Sequence, residues 1–105
     1  MDPRIARLEA VIRARKDADP ASSYVASLFA KGTAKIAQKV GEEATETIIA
    51  ALRDGPDKLT SEAADLLFHL TILLADAELS LDDVLREIER REGISGITEK
   101  VSRIK

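Results

Sequence analysis

The chain of 105 residues has no cysteine, no tryptophan and a single histidine, and only three of its residues are aromatic. Without cysteine there can be no disulfide framework, thiolate zinc site, iron–sulfur cluster or cysteine nucleophile. The scarcity of aromatics, set against 16 alanines, favours helix over sheet, because alanine is the strongest helix former and strands draw on aromatic and β-branched side chains. No stretch approaches the roughly 18 apolar residues that cross a bilayer, so a membrane partner is not expected. A basic face is missing as well. The 16 Lys and Arg are interspersed with 19 Asp and Glu, for a net charge of −3, which argues against nucleic acid as a partner. The opening Met1-Asp2-Pro3-Arg4 runs into a charged amphipathic pattern and does not read as a secretion signal. A cytoplasmic protein with one domain over residues 1–105 is expected. A core of this size is marginal on its own, which favours a homodimer.

The apolar periodicity predicts helices throughout. Ile5, Leu8 and Ile12 recur at helical spacing and mark a first helix near 4–17. Asp19-Pro20 and Ser22-Ser23 break it, and a short helix from Tyr24 to about Lys31 follows. Gly32-Thr33 supplies a C-cap and a new N-cap. From Ala34 to Arg53, Ile36, Val40, Ala44, Ile48 and Ala51 share one side of a long helix, and Asp54-Gly55-Pro56-Asp57 is a turn that sends the chain back antiparallel. The next helix, about Lys58 to Glu78, is apolar nearly all round its second half and should be buried on most sides. Ser80-Leu81-Asp82-Asp83 opens a last helix to about Arg91, with 93–105 a loosely held tail. The expected fold is all-α, a bundle of four or five helices around a central antiparallel pair.

The two arms of that pair carry acidic clusters, Glu42-Glu43-Ala44-Thr45-Glu46 and Glu62-Ala63-Ala64-Asp65. Spacing of i, i+3 sets Glu43 with Glu46, and Glu62 with Asp65, about 60° apart on their helices. Counted outward from the turn at about 1.5 Å per residue, the clusters differ in height by only about one helical turn, so four carboxylates can converge. An acidic run on a helix is commonly just a solvated face. Asp65 tips the balance, because it lies among Ala64, Leu66, Leu67 and Phe68 in the helix expected to be buried, where an unpaired carboxylate is very costly. No Lys or Arg follows Lys58 in that helix, so the counter-charge must come from another element or from a metal. Hard oxygen donors, without cysteine or a histidine cluster, suit Mg²⁺, with Mn²⁺ as the alternative. Lys39 and Lys35 lie one and two turns before the acids on the same helix. Read alone they are surface charges; beside a metal site they suit a phosphate chain. His69, four residues after Asp65, more often fills a core with a hydrogen bond, Asp65 being its partner, than binds a metal. Ser23 alone reads as a cap.

The string Lys35-Ile36-Ala37-Gln38-Lys39-Val40-Gly41-Glu42-Glu43-Ala44-Thr45-Glu46, with Glu62-Ala63-Ala64-Asp65 after it, resembles the phosphoribosyl-ATP pyrophosphohydrolases of histidine biosynthesis, within the all-α, MazG-like nucleotide pyrophosphohydrolase superfamily. Ser23-Tyr24-Val25-Ala26-Ser27-Leu28-Phe29, Lys31-Gly32 and Leu66-Leu67-Phe68-His69-Leu70 extend the likeness over about residues 13 to 91. The resemblance implies a dimeric, magnesium-dependent hydrolase that converts phosphoribosyl-ATP to phosphoribosyl-AMP and pyrophosphate. It implies that Glu43, Glu46, Glu62 and Asp65 hold the metal, and that Glu42 is a further ligand or orients water, so that Glu42, Glu43 and Glu46 are the catalytic acids. Lys35 and Lys39 would face the phosphates, and Ser23, Tyr24 and Lys31 would border the substrate. The expected chemistry is in-line attack of water at the α-phosphorus with pyrophosphate leaving. Two alternatives use the same residues differently: a housecleaning pyrophosphohydrolase acting on free nucleoside triphosphates, and a helical dimerisation module whose acids are merely solvated. Without the five site acids, 14 acidic residues remain against 16 basic ones, so the net negative charge belongs to the proposed site.

Overall fold

Five helices follow one another with short connections in a computed structural model that describes residues 2–92: α1 (Pro3–Arg15), α2 (Tyr24–Lys31), α3 (Thr33–Arg53), α4 (Pro56–Asp76) and α5 (Leu81–Arg91). Among the described residues there is no strand. The tail expected over 93–105 lies outside the described residues.

Each boundary has a local cause. The Asp2 carboxylate accepts from the Arg4 N–H while Pro3 occupies the first helical position, where a missing N–H costs nothing. Ser23 Oγ accepts from the Ala26 N–H at 3.1 Å and caps α2. Gly32, at φ 96° and ψ 174°, closes α2 and opens α3 in one residue, a conformation open almost only to glycine. Thr33 is therefore not the N-cap that its sequence position suggested; it is the first helical residue, and its hydroxyl donates to Asp76 at the end of α4. Gly55, at φ 86°, repeats the device between α3 and α4. Pro56 then starts α4 two residues before the expected Lys58. The α4 C-terminus is a Schellman motif, with Leu79 N–H donating to Leu74 O at 2.8 Å and Glu78 N–H to Ala75 O at 3.0 Å. A reciprocal capping box between Ser80 and Asp83 begins α5.

The α3–α4 hairpin is the central antiparallel pair, and α1 and α2 pack on it. Their shared core joins Ile12 of α1, Val25 and Leu28 of α2, Ile36 of α3, and Ile72 and Ala75 of α4, with Leu8, Phe29, Phe68 and Leu73 around them. Fully buried Ile12, Leu28, Ile36 and Ile72 each contribute about 1.5–3 kcal/mol relative to exposure. A buried carboxylate ties in the last helix: Glu9 Oε2 accepts from the Leu81 N–H at 3.0 Å and lies 3.7 Å from Arg13.

Burial of α4 differs from the expectation. In one chain Ala63, Ala64 and Leu67 face solvent, and so does Asp65; the buried residues are Glu62, His69, Thr71, Ile72 and Ala75. The apolar run in the sequence is real, but only one side of it meets this chain's own core.

Candidate active site

The hairpin brings the two acidic clusters together. Glu43 and Glu62, one from each helix, are both buried at 7% exposure, and a carboxylate oxygen from each lies within 4.8 Å of the others and of Asp65. Glu43 Oε1 lies 3.6 Å from Lys39 Nζ and Glu62 Oε1 lies 2.9 Å from Lys58 Nζ. The second oxygens, Glu43 Oε2 and Glu62 Oε2, are buried without a hydrogen-bond partner in the protein. Two buried acceptors from facing helices, each costly if left unmatched, form a donor set suited to a hard cation. Glu46, one turn after Glu43, is exposed. A proton on Glu46 can be shared with the carboxylate of Glu62 and then with that of Glu43, which holds its pKa above the usual carboxylate value, and the negative charge of Glu43 adds to this. Glu62 moves the opposite way, lowered chiefly by its bond to Lys58.

The counter-charge is Lys58, within α4 itself and not on another element. Its i, i+4 relation to Glu62 was the available signal. The buried acid that needs compensation is Glu62, and its partner stands one turn earlier on α4. Asp65 needs no burial argument, since its carboxylate is solvent-facing.

Upstream on α3, Lys39 is bonded to Glu42 at 3.1 Å, and Gln38 donates to the other Glu42 oxygen at 2.9 Å. These two contacts hold the exposed Glu42 carboxyl below its ordinary pKa. Lys35 is half-buried, Lys31 is exposed, and neither forms an ion pair among the described residues. Ser23 is buried and its hydroxyl is engaged in capping α2. Tyr24, the first residue of that helix, reaches His69: its hydroxyl lies 2.7 Å from Nε2, while Nδ1 lies 2.7 Å from the Asp65 carbonyl oxygen. His69 thus pairs with the Asp65 main chain, not its carboxylate, and both ring nitrogens are occupied within the protein. Partial burial raises the Tyr24 pKa; the Lys39 ammonium opposes this, and the charges of Glu43, Glu42 and Asp65 add to it. The phenol therefore belongs to the rim of the acidic cluster. On the other side, Glu46, Ile49, Asp54, Lys58 and Glu62 line an open cleft of about 390 Å³ that shares two acids with the cluster.

Against known proteins, residues 5–92 match the family model described as phosphoribosyl-ATP pyrophosphohydrolase. The chain belongs to that family. Named relatives are similar over nearly their whole length. A phosphoribosyl-ATP pyrophosphatase of Erythrobacter litoralis is 61% identical over 97 residues, covering 92% of this chain and 93% of the relative. That of Dinoroseobacter shibae is 61% identical over 99 residues, covering 94% and 97%. The Zymomonas mobilis protein of the same name is 57% identical over 101 residues, covering 96% and 94%. Every candidate residue from Ser23 to Asp65 lies inside the stretch that matches the phosphoribosyl-ATP pyrophosphohydrolase family. Among the described residues no helix is long and apolar enough to cross a membrane.

Proposed function

We propose that this chain hydrolyses phosphoribosyl-ATP to phosphoribosyl-AMP and pyrophosphate, the second step of histidine biosynthesis, at the carboxylate cluster between α3 and α4. Family membership supports the substrate. The observation that carries the site is the pair of buried, unpartnered oxygens of Glu43 and Glu62 beside Asp65. Glu43, Glu62 and Asp65, with Glu46 at their edge, would hold Mg²⁺, or Mn²⁺ in its place, because all the donors are hard oxygens. When bound, the cation neutralises phosphate charge and polarises the phosphoryl oxygens.

The chain's own residues account for the rest. Lys35 and Lys39 bind phosphate oxygens from the N-terminal side of the acids. Glu42, kept ionised by Gln38 and Lys39, orients the attacking water and takes its proton as the water oxygen bonds to the α-phosphorus. The bond from that phosphorus to the bridging oxygen breaks, and pyrophosphate departs. Tyr24 and Lys31 border the substrate, and Ser23 fixes the start of α2 beside it. Ile48, Ile49, Leu52 and Leu67, exposed at 60%, 41%, 80% and 41%, support a homodimer assembled on the hairpin's outer face.

Pyrophosphate release from phosphoribosyl-ATP, with and without magnesium, tests the reading. Activity is expected only with the cation, and Glu62→Gln is expected to lose at least about a hundredfold in kcat while keeping its helical circular dichroism. Equal turnover of ordinary nucleoside triphosphates would instead favour the housecleaning enzyme, and no release from any of them the dimerisation module.

A further inference from the structure

His69 is buried at 6% exposure in α4, yet the reaction outlined above gives it no task. Its surroundings are specific. Phe68 and Tyr24 meet its ring edge-on, at centroid distances of 5.4 and 5.8 Å and interplanar angles of 84° and 80°. The Asp65 carbonyl, 2.7 Å from Nδ1, can only accept, so Nδ1 carries the hydrogen. In the neutral ring Nε2 is then a bare acceptor, and the Tyr24 hydroxyl at 2.7 Å donates to it. With its hydrogen turned inward, the phenol oxygen presents only lone pairs outward. Tyr24 is half exposed, and its hydroxyl feels the charges of Lys39, Glu43, Glu42 and Asp65.

We propose that His69 is a positioning residue for the hydrolysis: it orients the Tyr24 hydroxyl at the rim of the carboxylate site as a hydrogen-bond acceptor for an O–H donor of the substrate. Both its nitrogens are spent within the protein, so it acts through Tyr24 and touches neither cation nor substrate. The role also ties two elements of the site together, because the carbonyl that sets the ring belongs to Asp65, whose side chain is part of the acidic cluster.

The inference rests on the hydrolase reading, and a double-mutant cycle separates the two. Asparagine places an amide nitrogen near the position of Nδ1, so His69→Asn retains the donor to Asp65 and removes the acceptor for Tyr24. Tyr24→Phe and His69→Asn are each expected to lower kcat/KM for phosphoribosyl-ATP about tenfold, with the double variant no lower than either single one. The magnesium-induced thermal shift of each should match that of the wild type. A merely structural His69 predicts a further loss in the Tyr24→Phe background, where the hydroxyl is already gone. Multiplying losses, or wild-type activity in Tyr24→Phe alone, would overturn the proposal, and the second result does so even if His69→Asn fails to fold. Wild-type protein that releases no pyrophosphate from phosphoribosyl-ATP would sink the hydrolase reading itself.

Discussion

Glu43 and Glu62 each commit one carboxylate oxygen to a lysine and leave the other buried and unmatched. That division sets the titration of the whole cluster. The exposed Glu46, pushed up by Glu62 and Glu43, keeps its proton to higher pH than an ordinary glutamate while the cluster is free of cations. Its folded pKa exceeds its unfolded one, so its contribution to folding is present at low pH and declines as pH rises through the raised value. Glu62, lowered by Lys58, runs the other way, stabilising above the ordinary glutamate value and losing that as pH falls. A cation entering the cluster must expel the Glu46 proton. Magnesium titrated just above the ordinary glutamate pKa should therefore release protons, seen calorimetrically as a binding heat that varies with buffer ionisation enthalpy, and affinity should rise with pH as Glu46 ionises. Buffer-independent heat would remove Glu46 from the site. The i, i+3 spacing of the acids was readable from the sequence alone, because helical periodicity decides which side chains share a face. The burial of Glu62 instead of Asp65 was not. Chain neighbours such as Leu66 and Leu67 say that a helix is apolar, while exposure depends on the angular position of each residue relative to the rest of the bundle.

The helices themselves were largely legible, since their ends are written in caps: Asp2-Pro3, Ser23, Gly32, Gly55-Pro56 and Ser80 all act at or next to a boundary. The exception is informative. α4 ends in a Schellman motif whose left-handed position is held by Glu78 at φ 60°, a site that normally calls for glycine. A glutamate there bears the steric cost of its Cβ, so no glycine signalled the end and the expected helix ran on to Glu78. Glu78→Gly should stabilise the fold by about 0.5–1 kcal/mol, part of the relieved strain being offset by the greater freedom of glycine in the unfolded chain. A urea midpoint that stays put or falls would show that the motif gains nothing from relaxing that residue.

At the scale of the molecule, apolar surface left outside the core lies on the hairpin and, separately, at Leu79 and along α5 at Val84, Leu85 and Ile88. Ile48, Ile49 and Leu52 fall within about 100° of arc on α3, and Ala63, Ala64 and Leu67 form a stripe on α4. Excess apolar sequence in α4 signals that something covers it, but a sequence cannot say whether the cover is this chain or another copy. With the proposed dimer, Leu52→Glu should raise the dissociation constant at least about tenfold, read by sedimentation velocity; wild-type protein that sediments as a monomer at micromolar concentration would exclude the pairing. The joint at Gly32 has its own consequence. Because one residue both ends α2 and begins α3, there is no slack between the helix that carries Tyr24 and the helix that carries Lys39 and Glu43. Adding or removing a residue in either helix between this joint and the site would turn the side chains beyond it by about 100° and carry the phenol away from the acids. Length variation compatible with this site has to fall elsewhere, as in the exposed connection between α1 and α2, where an extra residue alters no angle that the chemistry uses.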